Sequence, residues 1–151
     1  MNLSAIITFK TNKEESDFYK DEFHPQTRGL AISYADRFYR ERHKRLIITN
    51  IIRTKEEQIA HYKKMLDSGQ ISLDKILKYP HLVRRDEAEN MVFPAYAFDQ
   101  SISNMTAEDI AWTLEWGNSW WRRPDGKQTC YKHDVGSGDH IHWQFTTNIP
   151  V

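Results

Sequence analysis

Apolar runs with strand character alternate along this chain with stretches whose apolar positions recur at helical spacing. Ala5-Ile6-Ile7-Thr8-Phe9 predicts a short strand. Residues 13–23 are polar, with few periodic apolar positions, and predict a loop or short helix. His24-Pro25 marks a break, because the residue before a proline is pushed out of the α region. Beyond it Leu30, Ala31, Tyr34, Ala35, Phe38 and Tyr39 fall on one helical face and predict a helix over 26–42. Leu46 to Ile52 is continuously apolar apart from Thr49 and Asn50, as a buried strand is. Thr54 followed three residues later by Glu57 forms a capping-box signature and opens a helix over 55–66. Residues 70–90 have weak periodicity, so a short helix and then a surface loop are expected, with His81 a surface histidine. Met91 to Asp99 reads as a strand. Thr106 as N-cap and Asp109 at N3 start a helix over 106–117, with Ile110, Ala111, Trp112 and Leu114 as its apolar stripe. Pro124-Asp125-Gly126 turns the chain into strands at 129–132 and 140–146.

These elements predict an α+β fold in a single domain spanning 1–151. The helices at 26–42, 55–66 and 106–117 would pack on one face of a mainly antiparallel sheet containing 46–52, 95–99, 129–132 and 140–146. A chain of 151 residues supports one such core and is small for two. Lysine plus arginine and aspartate plus glutamate number 21 each, so no net field draws nucleic acid or an anionic membrane. The basic run Arg37, Arg40, Arg42, His43, Lys44 and Arg45 then reads as a solvated helix end that complements the dipole. Cys130 is the single cysteine, which excludes an internal disulfide framework and a cysteine-rich metal site. No apolar run is long enough to span a bilayer, and Met1-Asn2-Leu3-Ser4-Ala5 opens no signal peptide. The protein is expected to be cytoplasmic when made.

The stretch most able to carry chemistry is Gly136-Ser137-Gly138-Asp139-His140-Ile141-His142-Trp143-Gln144-Phe145. Side chains alternate faces along a strand, so His140, His142 and Gln144 share one face, and Ile141, Trp143 and Phe145 the other. An imidazole pair two residues apart can present a metal ligand beside a catalytic group. The same pattern also suits an edge strand whose histidines face water.

Read together, three segments resemble the Hedgehog/DD-peptidase superfamily, the zinc D-alanyl-D-alanine carboxypeptidases, dipeptidases and phage endolysins. Ile48-Thr49-Asn50-Ile51-Ile52-Arg53-Thr54-Lys55-Glu56-Glu57-Gln58 looks like its strand-arginine-helix motif. His133-Asp134-Val135-Gly136 followed by Gly138-Asp139-His140-Ile141-His142-Trp143-Gln144 looks like its closing H-x-H segment, and His24-Pro25 fits its opening. The resemblance covers about 23–145.

It implies zinc held by two histidines and an aspartate, with His142 the last ligand. A general base would stand just before it, at Asp139 or His140. Arg53 would steady a substrate carboxylate or a developing oxyanion; without the family, a structural ion pair at a strand end explains it equally well. The family's middle motif, Ser-x-His-x-x-Gly-x-Ala-x-Asp, aligns with Asn90-Met91-Val92-Phe93-Pro94-Ala95-Tyr96-Ala97-Phe98-Asp99. Ala97 and Asp99 hold their places, but Val92 stands where the ligand histidine is expected, and valine has no lone pair to give. Asp99 has a second reading as a cap on the turn at 101–104.

Two functions follow from the resemblance. In the favoured one the chain is a catalytically impaired, peptidase-like binding or assembly module, a pseudoenzyme that binds zinc weakly or not at all, with other subunits of a larger particle as partners. By analogy with the family's phage lysins, a bacteriophage virion is the expected setting. In the other it is an active zinc peptidase cleaving peptidoglycan stem peptides, with His81 or His133 replacing the missing ligand. Arg53, Asp99, Asp139, His140 and His142 are expected to converge on one concavity in both.

Overall fold

A computed structural model describes residues 2–134 and 138–150 of the chain. After a single 3-10 turn, strand β1 (Ile7–Phe9) leads into α1 (Asn12–Phe18). Helix α1 opens on a capping box in which Thr11 and Glu14 satisfy each other's backbone donors. Helix α2 (Pro25–Arg42) starts on Pro25, whose missing N–H costs nothing in a first turn. It ends at His43, whose left-handed backbone (φ 58°) turns the chain toward β2 (Leu46–Asn50). The expected helix over 55–66 divides into α3 (Lys55–His61) and α4 (Lys63–Asp67), because the backbone leaves helical geometry at Tyr62. A one-turn helix, α5 (Leu73–Ile76), precedes a small hairpin of β3 (Arg84–Arg85) and β4 (Met91–Phe93). The expected strand over 91–99 is therefore two: Pro94 separates β4 from β5 (Ala97–Ser101), which belongs to the main sheet. Helix α6 (Ala107–Trp120) carries the expected Thr106–Asp109 capping box, and β6 (Cys130–His133) and β7 (His140–Gln144) follow. Of the predicted Gly136-Ser137-Gly138 turn, positions 136 and 137 lie outside the described residues.

The main sheet has the order β1-β2-β5-β7-β6, antiparallel throughout except for the β1–β2 pair. The fold is thus α+β with a mostly antiparallel sheet. Period-two alternation sorts its two faces. Leu46, Ile48, Phe98, Ile141 and Trp143 are fully buried on the face covered by α2 and α6, among Leu30, Tyr34, Phe38 and Trp116. Trp143 stacks on Phe98 (centroids 5.6 Å apart) and meets Tyr34 at 4.5 Å. Its indole donates to Gln100 Oε1, whose amide donates to the Tyr34 hydroxyl, which bonds Thr113 Oγ1. This chain leaves no polar atom of the buried quartet unpaired. Helix α6 approaches so closely at Gly117 that a Cβ there would lie 2.6 Å from both Cys130 Sγ and Trp143 Cζ3.

Helices α2 and α6 occupy that covered face, as expected. Helix α3 borders the other face, where β5 and β7 present their polar side chains. No described helix is long and apolar enough to cross a membrane.

Candidate metal centre

The antiparallel register of β5 and β7 sets Asp99 directly opposite His142. Phe98 and Gln100 point into the core, so Asp99 must point to the open face, and His142 accompanies it because Ile141 and Trp143 point inward. The strand alternation read from the sequence therefore places His142, and the same rule on β5 places Asp99. His142 Nδ1 and Asp99 Oδ1 are 3.1 Å apart.

The third member is His81, from the turn after α5. The expectation of a surface histidine is overturned: only 3% of it is exposed. Two backbone bonds draw it inward. Its carbonyl accepts from Arg53 N–H at 3.0 Å, and its Nδ1 lies 2.7 Å from the Ile51 carbonyl. A carbonyl only accepts, so Nδ1 carries a hydrogen, and Nε2 faces Asp99 Oδ1 at 3.1 Å. A carboxylate and an imidazole nitrogen this close in a buried site are bridged by a cation, a proton on Nε2 or a metal. His81, Asp99 and His142 offer ligand atoms all within 4.8 Å of one another, and this buried group could hold a metal ion. His133, the other candidate replacement, is half-buried and not one of the three clustered residues.

Val92 is not near this group's place in the fold. It lies on β4, 63% exposed. The hairpin of β3 and β4 is inserted between His81 and Asp99, so the residue gap in the middle motif does not identify the position that faces Asp99.

Burial alone would raise the Asp99 carboxyl, but His81 and His142 outweigh it and hold it well below the ordinary carboxylate range. Burial lowers His81 in turn. The carboxylate is therefore ionised, as metal ligation needs. Oδ2 of Asp99 faces Arg53 Nη2 and Asn50 Nδ2, both at 3.5 Å. Arg53 is further steadied by Gln58 Oε1 at 3.3 Å. The reading of Asp99 as a turn cap is not realised: Ser101 Oγ accepts from Ser103 N–H instead.

Beyond His142, the Gln144 amide sits between the imidazole and Arg123. With its oxygen toward the guanidinium, it donates to His142 Nε2 at 2.8 Å. The remaining hydrogen of His142 is then on Nδ1, directed at Asp99. Ligation through Nδ1 would require that hydrogen on Nε2 instead, with the Gln144 amide turned so that its oxygen accepts it.

His140 completes the ring around Asp99, with Nε2 3.7 Å from Oδ1. Its Nδ1–H donates to the Gly138 carbonyl, so Nε2 is the nitrogen turned toward Asp99. Asp139 is exposed and lies 3.7 Å from Lys132 Nζ. Two cavities flank the group. One, of about 650 Å³, is lined by Asn50, Glu57 and Asp139 among others. The second, of about 470 Å³, is lined by Tyr79, Tyr96, Arg123, Tyr131 and His142 among others. They share Arg53, His61, Asp99 and His140. Arg53, Asp99, Asp139 and His140 thus line one concavity, and His142 the adjoining one.

No protein-family profile, curated protein or solved structure matches the chain. The sequence holds one cue to His81, the rigid Pro80-His81 step after a short amphipathic segment, but nothing local to it predicts burial.

Proposed function

We propose that this protein is a zinc-dependent peptidase of the Hedgehog/DD-peptidase type, acting on peptidoglycan stem peptides. One observation carries the reading: His81 turns its buried Nε2 onto Asp99, beside His142, so that three ligand atoms cluster at the meeting point of two open cavities. The case for an impaired module rested on Val92, and Val92 stands on an exposed hairpin away from these ligands. Two imidazoles and one carboxylate are a donor set suited to zinc, with room for a further ligand toward the cavities.

His81, Asp99 and His142 would hold the metal. When bound, zinc makes water nucleophilic near neutral pH and polarises a carbonyl. Arg53 keeps its guanidinium at the cavity junction and offers donors to a carbonyl oxygen as negative charge develops on it. His140 Nε2 is an acceptor within the site, and Asp139 is a carboxylate on the cavity wall; either can take a proton from attacking water and return it to the leaving amine. His140 is the better placed, since its Nε2 is already turned toward Asp99 while Asp139 is exposed and faces Lys132.

The test is metal content after purification without chelator, together with hydrolysis of purified cell-wall sacculi followed by mass spectrometry. One zinc per chain and release of new amino termini are expected. A protein that takes up no zinc under calorimetric titration would refute the reading.

A further inference from the structure

His61, at the C-terminal end of α3, lies outside the metal group but lines both cavities. Its ring is packed edge-on against Tyr62, with centroids 4.8 Å apart. Its Nε2 is buried and has no hydrogen-bond partner among the described residues. Such an orphan atom costs stability and calls for an explanation. Nearly every other polar atom around the centre is paired: Arg53 with Gln58 and Asp99, His81 with Ile51, His142 with Asp99 and Gln144, His140 with Gly138.

The chemistry of the missing partner can be narrowed. Burial and the nearby Arg53 charge push His61 down to about 4, so the ring is neutral near pH 7. A neutral ring has no charge to offer an anion, and Arg53 beside it already does. It is not one of the three clustered ligands. What matches a neutral imidazole at the junction of two cavities is a neutral amide. An extended peptide crossing from one cavity to the other presents one there.

We propose that His61 is a substrate-binding residue, whose Nε2 hydrogen-bonds a backbone amide of the peptide lying across the metal centre. The assignment rests on the peptidase reading and adds to it a group that fixes the substrate's path between the two cavities. The bond forms alike in ground and transition states, so it acts on KM rather than kcat.

The test uses the full chain loaded with zinc and the pentapeptide L-Ala-γ-D-Glu-L-Lys-D-Ala-D-Ala as probe. His61→Phe keeps the ring and removes both nitrogens; His61→Gln returns a polar nitrogen at similar reach. In His61→Phe, KM is expected to rise about tenfold with kcat and zinc affinity unchanged. Thermal stability should hold or rise, since an unpaired buried atom has gone. His61→Gln should recover most of the lost KM. A wild-type KM in His61→Phe would overturn the assignment while leaving the peptidase reading intact. Loss of zinc from His61→Phe would also overturn it, making His61 a ligand. If the unmodified, zinc-loaded protein neither binds nor cleaves the probe, the peptidase reading falls and takes the assignment with it.

Discussion

His81→Asn separates the two jobs that His81 performs. The Asn amide nitrogen can take the place of Nδ1 and keep the bond to the Ile51 carbonyl, while the Nε2 atom facing Asp99 is lost. Loss of second-shell partners alone weakens metal affinity about 10–100-fold, so loss of a ligand should weaken it at least about 100-fold. With free zinc at about 100 times the wild-type Kd, binding stabilises the folded state by about 2.7 kcal/mol. For a chain of this size that is a rise in Tm of roughly 5–11 °C. In His81→Asn the same zinc concentration is near the variant's Kd, so the stabilisation falls to about 0.4 kcal/mol and the shift to roughly 1–2 °C. The metal-free variant should lose little, about 1 kcal/mol, because the Ile51 carbonyl stays paired. Val92→His is the matched control. On an exposed hairpin it should change zinc affinity by less than twofold and stability by less than about 0.5 kcal/mol. The assays are thermal melts with and without zinc and calorimetric titration. Tight stoichiometric zinc in His81→Asn, or a clear gain in Val92→His, would refute the assignment of the third ligand.

Three other outcomes are expected. Burial pushes both His61 and His133 down to about 4 from an unfolded value near 6.5, so the unfolded chain binds more protons between those limits. Stability of the metal-free protein is therefore complete above about pH 6.5 and falls on acidification toward 4, by on the order of 1 kcal/mol for each half-buried ring after screening; a urea midpoint unchanged from pH 7.5 to 5 would contradict this. Gly117→Ala should destabilise by about 1–3 kcal/mol, since its Cβ meets Cys130 Sγ and Trp143 Cζ3 at 2.6 Å, and denaturant unfolding reads it directly. Tyr34→Phe removes the hydroxyl that joins Gln100 to Thr113 in the core and should cost about 1–3 kcal/mol in the same assay.

Much of the fold is legible because its signals are local. The alternation of Ile141 and Trp143 with His140 and His142 assigns two faces to β7 without reference to any other strand. Thr54 with Glu57, and Thr106 with Asp109, start their helices where the sequence places them because each box is complete within four residues. The ends are less legible: α6 runs three residues beyond its expected end, to Trp120, and β4 parts from β5 at Pro94. Asp99 and His142 are legible as partners only through resemblance, since their direct pairing depends on a strand register that nothing local encodes.

His81, legible only as one of two candidate replacements beside His133, is hard to single out for a different reason. A motif read by fixed gaps assumes that one stretch of chain carries the histidine and the aspartate together. Here the β3–β4 hairpin is inserted between them, and such an insertion adds little closure entropy because the cost grows only logarithmically with length. It can lengthen the gap without moving either end, provided both ends are tied down. They are: His81 is bonded through its carbonyl to Arg53 N–H and through its ring to the Ile51 carbonyl, while Asp99 is fixed by the β5–β7 ladder. The geometry of the centre is therefore set by the chain around residues 51–53 and by β7, not by the residues between 82 and 96. Counting back seven positions from Asp99 lands on Val92, in the inserted hairpin, where the side chain faces water. The ligand atom lies eighteen positions back, held by a strand end that the count never consults.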